Sequence, residues 1–186
     1  MSMSHSQHRW RNQTGATLVE VLVSVLLLSL GVLAMAAMQV NAVQYSKTSE
    51  FRTVATLLAN DLGDRMRAND PSGQVRSGPT GYDYLSSGAY AAPTLPNPPG
   101  TDCADGATTC AFNQMAAYDK ATWARTVFQQ LPQGTARVVV DAANANAEIW
   151  IVWTDPSSSS NQAADNCPAN YNQPSTVRCV YFRIAI

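Results

Sequence analysis

Histidine is nearly absent from this chain: His5 and His8 are its two, and both stand within the first eight positions. Everything after them lacks an imidazole, which excludes a Ser–His–Asp set there. Charge is sparse as well. Asp, Glu, Lys and Arg together make up 13% of the residues and leave a formal net charge of −1. That balance supplies neither the basic surface of a nucleic-acid binder nor an acidic tail, and no nucleic-acid partner is expected. The four cysteines, Cys103, Cys110, Cys167 and Cys179, contain no C-x-x-C pair. A structural zinc site therefore lacks its usual ligand spacing. Asp102 and Asp105 flank Cys103 without the regular oxygen-ligand spacing of a calcium loop. No catalytic set, metal or cofactor is expected. Proline is also missing before Pro71, so the strongest helix breaker is absent from the first 70 positions.

What is abundant is apolar residues, and they are concentrated early. Between Ala16 and Met38 lie 23 residues that are nearly all apolar. As a helix rising about 1.5 Å per residue, they are long enough to cross a bilayer core of about 30 Å. Arg9 and Arg11 precede the run, and after it no charge occurs until Lys47. This asymmetry places the N-terminus in the cytoplasm and the rest outside. Two features do not suit a plain anchor. Gly15 stands directly before the run, and a carboxylate, Glu20, lies inside it. A secretory signal peptide is a second reading, since Ala34-Met35-Ala36 offers a small-x-small cleavage site. The apolar run is longer than a usual signal core and contains an acid. The third reading is a leader that ends at Gly15, where a residue without a side chain lets a peptidase approach the backbone.

The stretch "GATLVEVLVSVLLLSLGVL" resembles the start of a type IV prepilin. The resemblance implies a basic leader ending at Gly15, cleavage by prepilin peptidase and methylation of Ala16 as the new N-terminus. Phe is usual at that first position, so Ala16 departs from the family pattern. Glu20 is then the fifth mature residue. A carboxylate in a membrane helix costs up to about 2.5–3.5 kcal/mol at the centre, and less toward the end. The resemblance implies its partner, the positive amino terminus of a neighbouring subunit. The competing reading is a side chain that merely reaches for the interface.

Beyond the run, Phe51, Val54, Leu58, Leu62 and Met66 recur at three- and four-residue steps, with Val43 and Leu57 near the same stripe. This predicts one amphipathic helix continuing to Ala68, broken by Asn69-Asp70-Pro71-Ser72-Gly73. From Thr17 to Ala68 it would form a rod of roughly 78 Å. Gly31 and Gly63 interrupt it, each at a cost of about 1 kcal/mol relative to alanine. Gly31 marks either a loosening point or a close helix contact.

The stretch from Pro71 to Tyr118 reads as loop, dense in Gly, Pro, Ser and Thr. A short helix is predicted at "DKATWARTVFQQL", with Asp119 as N-cap and Trp123, Val127 and Leu131 facing the core. Three strands are predicted at Thr135–Asp141, Glu148–Thr154 and Thr176–Ile186, the first two forming a hairpin across "AANAN". Ile149, Ile151 and Trp153 share one face and Trp150 and Val152 the other. The expected fold is α+β: a long N-terminal helix packed on a small antiparallel sheet.

All four cysteines follow the apolar run, and so lie in an oxidising compartment. Of three possible connectivities, the expected one is sequential: Cys103–Cys110 and Cys167–Cys179, with six and eleven residues between partners. The charged stretch "LLANDLGDRMRAND" offers a plain reading as a solvated helix end with weak local ion pairs. It also resembles the rod end of the PilV family of minor pilins, the type IV pilus modification proteins. "W…LPQG" and the strands ending near "VWTD" are similar to that family too. This implies a low-abundance subunit that helps initiate the pilus, supports twitching motility and adhesion, and has no catalytic activity. Implied partners are other minor pilins, the major pilin, prepilin peptidase, the inner-membrane assembly machinery and the lipid bilayer. Expected segments are a leader, 1–15, a membrane and amphipathic helix, 16–69, and a periplasmic head, 70–186, with its loop region at 70–118 and its helix and sheet at 119–186. A type II secretion pseudopilin and a ligand-binding tip module are the alternatives.

Overall fold

A computed structural model of the chain describes residues 15, 17–69, 81–82, 84–85, 93–106, 108–141, 143–155, 165, 167 and 176–186. Ala16, most of the leader and much of the loop region lie outside the described residues. Among the described residues the elements follow in the order α1 (Leu18–Ala68), β1 (Tyr84–Leu85), α2 (Phe112–Gln130), β2 (Thr135–Asp141), β3 (Asn146–Thr154) and β4 (Val177–Ala185). The chain divides into two units, Met1–Val43 and Gln44–Ile186, and α1 contributes to both.

The first unit contains the apolar part of α1. Its best 18-residue window has a mean hydropathy of 2.6 and buries none of its residues. The second unit, the head, has a single main core. Ala55, Leu58, Ala59, Leu62 and Met66 of α1 meet Trp123 and Val127 of α2 and Ile149, Ile151 and Trp153 of β3, all buried. Phe51 and Val54 are half-buried at its margin. Leu57 does not join them and is 64% exposed. At roughly 100° per residue it falls on the far side of the helix from Leu58, Leu62 and Met66. Val43, also placed near the stripe by its spacing, is exposed too.

The sheet is an antiparallel meander, ordered β1-β2-β3-β4. Alternation along β3 puts Ile149, Ile151 and Trp153 on the helix side. The opposite face is not wholly open. Val152, Val177 and Cys179 are buried there as a second small cluster, with Trp150 and Cys167 packed against it. β3 starts at Asn146, two residues before the expected Glu148, and pairs with Asp141 across a short turn. Asp141 caps this turn by accepting from the Asn144 backbone at 3.2 Å and side chain at 2.7 Å.

Helix α2 begins at Phe112, seven residues before the expected start. No Gly or Pro interrupts residues 112–118, and the Gln114 side chain accepts from the Ala111 N–H at 2.9 Å, which satisfies one donor at the entry. Asp119 is therefore not an N-cap but an interior residue of α2, and 112–118 is helix and not loop. At its far end α2 closes tightly: Leu131 N–H donates to Val127 O at 3.0 Å, and a Cβ on Gly134 would collide with that same oxygen. The two-residue β1 is an element that its own sequence does not announce.

Candidate functional site

The first candidate site is the start of α1. Gly15 is exposed, and a Cβ built on it would meet nothing within 4 Å. Thr17 opens the helix: its Oγ1 accepts from Glu20 N–H at 3.3 Å and its carbonyl from Val21 N–H at 3.2 Å. Thr17 thus acts as the N-cap and Glu20 as the third helical residue, where a negative charge suits the helix dipole. No hydrogen bond or ion pair of the Glu20 carboxylate is found among the described residues. Ser24 and Ser29, the hydroxyls next in line, donate to backbone carbonyls of the preceding turn at 2.7 Å each. Their polarity is absorbed within the helix. That of Glu20 is not absorbed by any described residue.

The second candidate is the charged end of α1. It is more than a fringe of local pairs. Arg65 bridges Asp61, one turn back, at 3.0 Å and Asp119 of α2 at 3.2 Å. The other Asp119 oxygen accepts from the buried Tyr82 hydroxyl at 2.7 Å. Asn69 then donates to Phe112 O at 2.9 Å. One buried carboxylate, one guanidinium and one phenol so join α1, α2 and Tyr82 of the loop region. Burial, then the Asp119 carboxylate, pushes the Tyr82 phenol well above its ordinary value. Burial alone would lower the Arg65 guanidinium, but Asp61 and Asp119 outweigh it and hold the group above its usual range. Arg67 pairs with Asp64 at 2.7 Å and also reaches Ala185 O of β4 at 2.7 Å. This arrangement is a clamp. It ties α1, α2 and β4 to one another within the second unit.

A disulfide joins Cys103 to Cys110 (Cα–Cα 5.8 Å), and another joins Cys167 to Cys179 (Cα–Cα 5.5 Å). In the first loop Asp102 accepts from Ala104 N–H at 2.9 Å, and Asp105 from Thr108 N–H at 3.0 Å, so both carboxylates shape the turn. The second disulfide is tied more deeply. Asp165 beside it receives Arg52 of α1 at 3.0 Å and the Cys179 N–H at 3.1 Å. Asp119, Tyr82 and Asp165 were not singled out by sequence reasoning in these roles. Their partners lie 54, 37 and 113 positions away, beyond the reach of any local spacing rule.

Comparison with known families supplies the class. The prokaryotic N-terminal methylation motif matches residues 10–36, and the family described as type IV pilin Tt1218 matches residues 37–121. No curated protein and no solved structure matches the chain. The two family matches adjoin and together run over more than half of the sequence. They fall on the leader, the whole of α1, the loop and the start of α2. The chain belongs to the type IV pilins. Its apolar helix anchors it in the inner membrane, from which the subunit passes into the pilus. The family is structural in kind rather than catalytic.

Proposed function

We propose that the chain is a minor pilin of PilV type that helps initiate the type IV pilus, and through it supports twitching motility and adhesion. Prepilin peptidase cleaves after Gly15 and methylates Ala16. The leader, 1–15, is lost. The helix, 16–69, and the head, 70–186, remain. The observation that carries this reading is the entry to α1: an open Gly15, a capped helix start and one carboxylate, Glu20, in an otherwise apolar segment, with no partner among the described residues. A carboxylate held in a membrane needs a counter-charge. The freed amino terminus of a neighbouring subunit supplies one, whether that neighbour is another minor pilin or the major pilin. The PilV-type assignment is supported by the "DRMRAN" stretch, in which Arg65, Arg67 and Asn69 all hold the rod to the head. Intact mass and N-terminal sequencing of the membrane-extracted protein test the processing step. The expected mature chain begins at Ala16 and carries one added methyl group. A chain beginning at Ala37 would instead restore the signal-peptide reading.

A further inference from the structure

β4 forms one edge of the sheet, and the other is the two-residue β1, whose Tyr84 and Leu85 pair with Val138 and Arg137 of β2. Two bonds fix which backbone groups of β4 point outward. Cys179 N–H donates to Asp165 at 3.1 Å, and Ala185 O accepts from Arg67 at 2.7 and 3.1 Å. Neither partner belongs to β3. In an antiparallel ladder alternate residues turn their N–H and C=O to the same side. Tyr181 and Arg183 therefore also face outward, while Arg178, Val180, Phe182 and Ile184 turn their backbone groups to β3. Among the described residues no backbone bond of Tyr181 or Arg183 leads away from the sheet.

The result is a slot from 179 to 185, roughly 20 Å long at about 3.3 Å per residue. Charged side chains close both ends, Asp165 at one and Arg67 at the other. α1 runs beside it, from Arg52 near Asp165 to Arg67 at Ala185, with Gly63 against Ile184 between them. On the helix side Val180, Phe182 and Ile184 are only half-buried at the margin of the core. On the other side stand Tyr181, 42% exposed and 4.7 Å from the Trp150 ring, and the exposed Arg183. Protected edges carry charge or bulges along their length. Here charge stands at both ends and at Arg183, which faces Glu148 across the ladder, while the outward backbone groups of Tyr181 and Arg183 lie over half-covered apolar side chains.

We propose that this edge of β4 takes up an extended segment from the head of a neighbouring pilin subunit as a fifth strand. The inference rests on the reading of the chain as a pilus subunit, because the filament is what brings a second pilin alongside. The chemistry of the slot specifies the occupant. Its residue on the helix side, beside Phe182, is apolar. Its residue beside Arg183 is acidic, and its residue beside Tyr181 is β-branched or aromatic.

The test uses the full-length chain in the cells that produce it. Backbone amide exchange is compared between wild-type subunits in sheared pili and the same subunits extracted in detergent. Strand addition predicts at least tenfold slower exchange at Tyr181 and Arg183 in the pili. In parallel, Arg183→Pro removes one outward N–H and leaves the β3 ladder intact, an edge position that tolerates proline. Its recovery in sheared pili, relative to the membrane pool, should fall at least tenfold with both disulfides still formed. Arg183→Glu should lower recovery several-fold. Unchanged exchange at Tyr181 and Arg183 in pili would overturn the proposal, as would a folded Arg183→Pro subunit incorporated at the wild-type level. Absence of the wild-type chain from sheared pili would fail the pilus-subunit reading, and the proposal with it.

Discussion

The two glycines of α1 sit in opposite surroundings. A Cβ on Gly63 would stand 2.9 Å from Ile184 Cγ2, whereas a Cβ on Gly31 would meet nothing within 4 Å. Both glycines weaken the helix by the same local rule, about 1 kcal/mol relative to alanine. At Gly63 the chain shows what is gained: β4 comes close to the rod. At Gly31 no described residue comes that close. The same contrast runs through the whole helix. Its second half buries Ala55, Leu58, Leu62 and Met66 in the head. Its first half leaves Leu18 through Met38 exposed, in a segment apolar enough to cross a membrane. One half is satisfied by its own chain, and the other by lipid and, in the pilus, by other subunits.

The head half can be broken most severely at its centre. Trp123 is fully buried and donates from Nε1 to Leu58 O at 2.8 Å, bridging α2 and α1. Trp123→Ala should destabilise the head by about 3–5 kcal/mol. Denaturant unfolding followed by tryptophan fluorescence would measure it, and the apolar half of α1 should stay in the membrane fraction.

Removal of a disulfide ranks next. Loss of a native disulfide in a small exported domain costs about 2–5 kcal/mol. Cys167→Ser should fall toward the upper end, because that bond ties Asp165, Arg52 and the buried Cys179 of the second cluster to one another. Cys103→Ser should cost less, since the Cys103–Cys110 loop is mostly exposed. Thermal unfolding of the two variants side by side gives the order. Equal losses would show that the Asp165 clamp adds nothing.

The glycine pair sharpens the comparison at smaller magnitude. Gly63→Val must displace Ile184, and overpacking of this kind costs about 1–3 kcal/mol. Gly31→Ala should leave the thermal midpoint of the head unchanged while slightly favouring the helix. A lowered midpoint for Gly31→Ala would contradict this expectation.

Much of this was legible in the sequence, and the part that was not has a consistent cause. The expected end of the rod at Ala68 and the inward set Ile149, Ile151 and Trp153 rest on periodicity and breaker residues, which act locally. Trp123, Val127 and Leu131 follow the same rule and are buried. Asp119 misled because an acid before a helical pattern looks like a cap. In the fold its partners are Arg65 and Tyr82, which no spacing connects to it. Leu57 misled because a leucine near an apolar stripe is easily assigned to it. Alternation puts Val152 and Trp150 on the face away from the helix, but it does not show that Cys167, bonded to Cys179, packs against that face. Tyr84 and Leu85 are too few to show alternation, so β1 is defined only by β2 beside it. As for the site, Gly15 and Glu20 stand out beside and inside an apolar run, Ala16 enters only through the resemblance to prepilins, and the clamp and the β4 edge exist only in three dimensions.

The central claim is that the first half of α1 is completed by another subunit through Glu20. Glu20→Ala tests it most directly, expressed in cells lacking the native copy. The change removes a charge from an apolar segment, so insertion should proceed at least as well, and Gly15 is retained for cleavage. Incorporation should fail, because a neighbouring amino terminus would lose its counter-charge, and an uncompensated buried charge costs on the order of 3–5 kcal/mol. The measurement is the ratio of variant in sheared pili to variant in the membrane, together with its mature size. The account predicts cleaved, membrane-bound protein with at least a tenfold lower share in the pili. Variant subunits of mature size, present in pili at the wild-type ratio, would contradict it and leave Glu20 as a carboxylate that only reaches for the interface.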